Sequence, residues 1–302
     1  MLSVIIPAYN EQDSVLEAYK HISDTLQGLS IENEIIFVDD GSIDNTWQKI
    51  EQLVKDNNNV CGIHFSRNFG KDAAIYAGLE KSKGDCCVVL DCDMQHPPSK
   101  IADMYALWKK GYEIIEGVKI SRGKERWLHR FAAKSFYSII GSAIHTNMEN
   151  ASDFKLLDRK VVDVLTDMPE KGAFFRALSS WVGFKKTTVE FEVCTRKSGK
   201  SKWTLSSLIK YAIQNISSFS SAPMHLVTLA GLIMLMVTFF LVIYAFFHSI
   251  NTQFLFLTLL FSGGIILIGI GIMGYYLSRM YDEIKGRPKY IISYILEKKR
   301  DN

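Results

Sequence analysis

Short apolar runs and amphipathic stretches alternate through the first part of the chain. Leu2 to Ile6, Glu34 to Val38, Val60 to Phe65 and Cys86 to Leu90 are runs of strand length, rich in β-branched residues. Between the first two, Val15, Leu16, Ala18, Tyr19 and Ile22 recur at helical spacing after Asp13-Ser14, which offers a cap. A second helix follows Asp44-Asn45-Thr46, and a third spans Asp72 to Lys81. Strands alternating with helices of about 10 to 15 residues predict βαβ units and a mostly parallel sheet. Right-handed crossovers then put the carboxyl ends of these strands on one edge, where such sheets bind ligands. Farther along, Tyr112 to Gly117 reads as a fifth strand and Trp127 to Ile140 as an apolar helix. A short strand follows Asp153, a helix and turn cover Phe174 to Phe184, and Thr187 to Val193 alternates as a strand.

The pattern changes near residue 224. Met224 to Ser249 and Gln253 to Ser278 carry no Asp, Glu, Lys or Arg. Each is about 25 residues long, against the ~20 needed to cross a bilayer. Ser249-Ile250-Asn251-Thr252 joins them as a short polar turn, so the pair reads as a membrane hairpin. That turn has no Lys or Arg, whereas Lys197, Lys200, Lys202 and Lys210 precede the hairpin and Arg279, Lys285, Arg287 and Lys289 follow it. The positive-inside rule therefore places both flanks in the cytoplasm. Leu205, Leu208, Ile209, Ala212, Ile213 and Ile216 have the spacing of an interfacial amphipathic helix. The expected organisation is a soluble domain over 1–202, an interfacial helix over 203–222, two spans within 223–278 and a basic tail over 279–302. Gly264, Gly271 and Ser278 form a small-residue stripe suited to close helix packing, which allows pairing with a second copy. The chain opens directly into a strand, so no signal peptide is expected.

Charged residues make up 22% and the net charge is +3, which gives no electrostatic case for a nucleic-acid partner. The five cysteines form no CxxC pair, and their apolar settings predict reduced thiols. Cys92 is expected to pack into the strand's other face.

Candidate chemistry gathers at the strand ends. The fourth strand runs into Asp91-Cys92-Asp93-Met94-Gln95-His96-Pro97-Pro98. In an extended chain Asp91, Asp93 and Gln95 would share one face. Such oxygen ligands suit Mg²⁺ or Mn²⁺, usually with a substrate diphosphate. A DxD triplet alone is a weak signal; the apolar strand before it and the neighbouring motifs strengthen it. Asp39 and Asp40 end the second strand and could accept hydrogen bonds from a base or ribose; the plainer reading is a helix-capping turn. Pro7-Ala8 with Asn10-Glu11 could shape a base-binding wall. Gly70-Lys71, before a helix start, could meet a diphosphate, or be an ordinary βα turn. Lys119 to Arg126 and Arg196 to Trp203 are basic loops, fit for phosphates or merely solvated. No GxGxxG or P-loop pattern occurs.

Ile5 to Glu11, Val38 to Ser42, Arg67 to Lys71, Leu90 to Pro98 and Ser152 to Leu157 resemble the family 2 inverting glycosyltransferases. Arg196 to Lys202 and Gly274 to Pro288 are similar to the polyprenyl-phosphate hexosyltransferases within it, above all the bactoprenol glucosyltransferases; dolichyl-phosphate mannose synthases are related. The resemblance covers nearly the whole chain. It implies a GT-A fold, α/β and Rossmann-like, carrying a two-helix membrane hairpin. It also implies a bacterial inner-membrane enzyme that moves a hexose, glucose first, from a UDP-sugar to undecaprenyl phosphate. Pro7, Tyr9, Glu11, Asp39, Asp40, Lys71 and Asp91 would then meet the nucleotide-sugar. Asp91, Asp93 and Gln95 would hold Mg²⁺ or Mn²⁺, and Arg122, Arg196, Ser201 and Lys202 would meet phosphates or acceptor. Asp153 matches the acid usually proposed as catalytic base. Lys119 departs from the pattern, standing where the glucosyltransferases carry arginine. Implied partners are the bilayer, a separate flippase and a downstream glycosyltransferase. UDP-N-acetylglucosamine, UDP-galactose or GDP-mannose are alternative donors; a processive polysaccharide synthase or a non-catalytic scaffold are the competing classes.

Overall fold

The computed structural model describes residues 1–119, 152–170, 174–192, 222–247 and 252–298. The helix expected over 127–140, the interfacial helix and the polar turn of the hairpin lie outside them. The chain forms two units, Met1–Leu205 with Pro288–Asn302, and Ser206–Arg287.

The first unit is built on a sheet of order β7-β5-β6-β4-β1-β2-β3-β8. Its first four strands are β1 (Leu2–Ala8), β2 (Asn33–Asp39), β3 (Val60–Phe65) and β4 (Cys86–Val89). Next come β5 (Ile114–Lys119), β6 (Lys155–Asp158) and β7 (Lys186–Phe191), and last β8 (Ile292–Glu297). The β1–β2, β2–β3 and β1–β4 pairs are parallel, so their carboxyl ends share one edge, as the alternation of elements predicts. β1 is buried along its whole length, as expected of a strand covered by helices on both faces. The intervening helices are α1 (Val15–Leu29), α2 (Thr46–Asp56), α3 (Lys71–Lys81) and α4 (Lys100–Lys109). Two more, α5 (Arg159–Asp167) and α6 (Phe175–Trp181), follow β6.

Two strands break the parallel rule. β6 pairs antiparallel with both β4 and β5. Its amino end therefore lies at the edge where β4 ends, with Val89 opposite Lys155. β8 pairs antiparallel with β3. The sequence reads 279–302 only as a basic tail; this stretch instead contributes a strand, because Ile292, Ile295 and Leu296 can complete the sheet beside β3. Cys61, Cys86, Cys87 and Cys92 are buried, as packing side chains are.

The second unit holds α7 (Ala222–Phe247) and α8 (Thr252–Ile284). Pro223–Tyr244 and Thr258–Ile284 are each long and apolar enough to cross a membrane. α8 runs past the expected end at Ser278 and includes Arg279, Asp282 and Glu283.

α3 lies directly on the sheet. A Cβ at Gly78 would stand 2.4 Å from Ile5 Cγ2, so helix and strand meet with no room for a methyl group. Gly78→Ala is expected to destabilise the protein by about 1–3 kcal/mol through overpacking. A thermal melt of the detergent-solubilised protein checks this, since an unchanged midpoint would mean that α3 stands off the sheet.

Candidate active site

The loops after β1 and β2 are laced together by side chains gripping backbone. Asn10 N–H donates to Ser42 Oγ at 2.8 Å, and Ile43 N–H donates to Asn10 Oδ1 at 3.0 Å. Glu11 N–H donates to Thr46 Oγ1 at 2.8 Å, and Asn45 N–H to Gln12 Oε1 at 3.1 Å. This fixes the wall formed by Tyr9, Asn10 and Glu11, in which Tyr9 is exposed and Pro7, one turn of strand earlier, is buried. Asn10 holds φ 53, a left-handed conformation that asparagine tolerates better than most residues.

The acidic pair is held by contacts inside the protein. Asp39, read as a partner for a base or ribose, is fully buried. Its Oδ1 accepts the Ser42 N–H at 3.1 Å and the Ser42 hydroxyl, and its Oδ2 lies 2.7 Å from His64 Nδ1. A carboxylate sealed from water needs internal partners, and Asp39 finds them in its own turn and in β3. Asp40 accepts the Phe69 N–H at 2.6 Å and the Gly70 N–H at 2.9 Å, clamping the β3–α3 loop. Burial pushes the Asp40 carboxyl up to about 6, against those two hydrogen bonds. Gly41 lies between the loops with φ +66, and a Cβ there would sit 2.4 Å from the Arg67 carbonyl carbon. Only glycine permits that approach.

The DxD segment is not extended. β4 ends at Val89, Cys92 and Asp93 form a turn, and Met94 takes φ 58. Gln95 N–H donates back to Asp93 Oδ1 at 3.1 Å, a local turn that competes with continued strand. Asp91 to Gln95 is thus a turn rather than an extended stretch with one shared face. Cys92 packs into the core, as expected. His96 is buried, stacked on Phe154 with ring centres 5.1 Å apart, and its Nδ1 faces the Asp91 N–H at 3.5 Å. Burial lowers its pKa, so it is a neutral prop for the turn.

Four charges of alternating sign meet at this edge. Lys71 Nζ, at the start of α3, lies 2.6 Å from Asp91 Oδ1 and 2.8 Å from Asp153 Oδ2. Arg176 grips Asp153 with two bonds, Nε to Oδ1 at 3.0 Å and Nη2 to Oδ2 at 2.8 Å. Burial disfavours charge on Asp153, but Arg176 and then Lys71 outweigh it and hold the carboxyl well below its usual range. Burial likewise opposes charge on Lys71, and Asp153 and Asp91 outweigh it to hold the ammonium protonated. A carboxylate so held is a poor proton acceptor. The Lys71 side chain remains 42% exposed, so it can still meet a ligand.

Arg176 is missed by reading the sequence. The available signal is a single charge inside the apolar run Ala173 to Leu178. A second buried network lies behind it. Glu116 on β5 faces Lys155 on β6 in register, and their charged atoms lie 3.3 Å apart. Lys186 Nζ meets the other Glu116 oxygen at 2.6 Å. Lys155 Nζ also donates to the Arg176 carbonyl at 3.2 Å and to Ser179 Oγ at 2.9 Å. Burial pulls Lys155 down to about 8. Arg122, Arg196, Ser201 and Lys202 lie outside the described residues; Lys119 closes β5.

The donor chemistry suits a divalent cation shared with a ligand. Asp91, Asp93 and Gln95 offer hard oxygens, and the charge beside Asp91 is already met by a cation, the Lys71 ammonium. Among the described residues no three His, Cys, Asp or Glu side chains converge on one point. Oxygens of a bound diphosphate would have to complete the shell.

The mixed sheet and its helices make a GT-A-like unit, and similarity to known proteins gives the class, a sugar-transferring enzyme. The pattern described as "Glycosyl transferase family 2" matches residues 3–176, and the chain belongs to that family. It is 36% identical to an uncharacterized glycosyltransferase of Synechocystis, over 97% of this chain and 94% of the relative. It is 34% identical to a prophage bactoprenol glucosyl transferase homolog of Escherichia coli, over 96% and 98% respectively. Among solved structures, one reported as the crystal structure of a mycobacterial protein superposes with a TM-score of 0.51 at 18% identity, covering 72% of each chain.

Asp72, next to Lys71, accepts the Phe175 N–H at 3.0 Å and so ties α3 to α6. Burial, and then the Asp153 charge, raise its pKa to about 6. A carboxyl with a raised folded-state pKa adds most stability when protonated and loses it as pH rises through about 6. Asp72→Asn keeps the acceptor and drops the charge. The variant is therefore expected to gain stability relative to the parent between pH 4 and pH 7.5, in denaturant titrations at both values; a constant difference would deny the buried charge.

Proposed function

We propose that this glycosyltransferase moves a hexose, glucose in the first instance, from a UDP-sugar to a polyprenyl phosphate such as undecaprenyl phosphate. The product is a lipid-linked sugar for O-antigen or other envelope glycosylation. The observation that carries the reading is the alternating cluster Asp91–Lys71–Asp153–Arg176 at the carboxyl edge of the sheet. It suits a reaction that brings one anion towards another. The bactoprenol-directed relative supports the lipid acceptor.

The reaction is a single in-line displacement. A phosphate oxygen of the acceptor forms a bond to the anomeric carbon as the bond from that carbon to the UDP oxygen breaks. UDP leaves with the electron pair, and the configuration inverts. A phosphate monoester has a second pKa of about 6 and is largely dianionic near pH 7. No strong base is required, which agrees with an Asp153 whose oxygens are already engaged by Arg176 and Lys71. Asp153 fixes Arg176 and Lys71 in place, and Lys71 faces the donor diphosphate. Tyr9 and Glu11 line the nucleoside side with Pro7 behind them, and Asp40 holds the Phe69–Gly70 loop. Asp91, Asp93 and Gln95 would hold Mg²⁺ or Mn²⁺, which when bound offsets charge on the leaving diphosphate. Arg122, Arg196, Ser201 and Lys202 are assigned to the phosphates on the acceptor side.

The membrane part of the reading rests on two features. Both helices of the second unit are long and apolar enough to span. The residues before and after them belong to one folded unit, with β8 paired to β3. A chain that leaves and rejoins one sheet must cross a bilayer an even number of times. With the positive flanks, this favours a multi-pass protein of the bacterial inner membrane whose catalytic unit is cytoplasmic. Carriage of the lipid-linked sugar across the membrane falls to a separate flippase, and its use to a downstream glycosyltransferase.

Membranes carrying the protein, given radiolabelled UDP-glucose and undecaprenyl phosphate, are expected to place label in the organic phase. Label in a water-soluble polymer, or no incorporation from any UDP- or GDP-sugar in a donor panel, would sink the reading. Asp93→Ala is expected to abolish transfer; full activity of that variant in EDTA would remove the cation from the scheme.

A further inference from the structure

β8 reaches the catalytic sheet only after the chain has passed through both apolar helices. It docks on β3 through rings. Tyr294 pairs with His64 in register, and their rings stack with centres 5.9 Å apart and planes 22° from parallel. Trp47 of α2 packs on the same imidazole at 4.9 Å. His64 Nδ1 in turn lies 2.7 Å from Asp39 Oδ2. Asp39 holds Ser42 through its N–H and hydroxyl, and Ser42 Oγ accepts the Asn10 N–H at 2.8 Å. An unbroken line of contacts thus runs from the post-hairpin strand to the loop after β1. A second staple fastens the same segment, with Tyr290 stacked on Phe65 at 5.0 Å and its hydroxyl bonded to Glu80.

We propose that Tyr294 is a positioning residue for the nucleoside pocket, acting through His64 and Asp39 on the Ser42–Asn10 contact. The proposal rests on the reading that the loop of Tyr9, Asn10 and Glu11 receives the nucleoside. The physical basis is water exclusion. Asp39 is fully buried, and its Oδ2 has the His64 imidazole as partner. Tyr294 and Trp47 pack on that imidazole and leave its side chain only 19% exposed. A hydrogen bond shielded in this way is stronger than one open to water. Without the Tyr294 ring, water reaches His64, the Asp39 anchor loosens, and the strained Asn10 turn (φ 53) loses part of what over-determines it. The donor pocket is then complete only once the strand beyond the hairpin has docked, which ties donor binding to assembly of the whole chain.

The test is UDP binding, with Mg²⁺, to the full-length protein in nanodiscs by calorimetry. Tyr294→Ala is expected to weaken UDP by about fivefold or more, within the range that contact networks transmit. Tyr294→Phe, which keeps the ring, should bind as the parent does. Glu297→Gln, on the same strand but away from the stack, should also be unchanged. In steady state the Tyr294→Ala variant should raise KM for the UDP-sugar and leave KM for the lipid phosphate and kcat unaltered. Parent-like UDP affinity in Tyr294→Ala, or an equal loss in Glu297→Gln, overturns the proposal. Asn10→Ala separates the two levels. If it weakens UDP while Tyr294→Ala does not, only the relay fails; if neither changes UDP binding, the nucleoside pocket itself is misplaced. Should Tyr294→Ala fail to fold, Tyr294→Leu fills the strand position without a flat ring and carries the same expectation and the same refutation.

Discussion

Charge alternation at a partly dry sheet edge is the constraint on which the site depends. Asp91, Lys71, Asp153 and Arg176 come from four separate elements and are each within 3.0 Å of an opposite charge. Removing water from any one of them alone would cost several kcal/mol. Together they hold one another ionised. The arrangement is therefore collective, and it commits the surrounding elements to one relative placement. α3 must present Lys71 at its first turn, α6 must present Arg176 at its second residue, and β6 must begin close to where β4 ends. The network also biases the chemistry. A carboxylate engaged by a guanidinium and an ammonium is better at fixing cations than at taking protons.

The two halves of the site are held by different means. At the ends of β1 and β2, side chains of Asn10, Gln12, Asp39, Asp40 and Asp44 grip the backbone of neighbouring loops. Only the Asp39–Ser42 contact is local; the others join loops 29 to 33 residues apart in sequence, so they tie neighbouring strand ends to one another. On the other side, the supports are long and charged. Lys155 and Glu116 face each other across β6 and β5, and Lys155 reaches on to Arg176 and Ser179. That half stays in register through buried ions, which tolerate the loss of a partner poorly.

Much of the frame was legible in local pattern. Apolar runs of strand length, separated by helical spacing, foretold β1 to β4 and their common edge, since handed crossovers leave few alternatives. The two charge-free runs near the C-terminus foretold α7 and α8, since their length and composition are local properties. Arg176, Lys155 and Glu116 were not legible as site residues. Arg176 is a lone charge in an apolar stretch, Lys155 and Glu116 have other charges within three residues, and the meaning of each depends on a partner tens of residues away. Asp39 was legible as a strand-end carboxylate but its contact with His64 was not, because that pairing depends on the next strand.

By itself, then, the order of residues determined which segments are strands, which helices suit a bilayer, and which carboxylates end the strands. These follow from periodicity, length and turn chemistry within a few residues. Tertiary structure alone decided that β6 runs antiparallel and delivers Asp153 to the edge, that Lys71 lies between Asp91 and Asp153, and that the segment after the hairpin returns as β8. Those outcomes are set by hydrogen-bond register and by pairing of desolvated charges between distant segments, and neither leaves a short-range mark in the sequence.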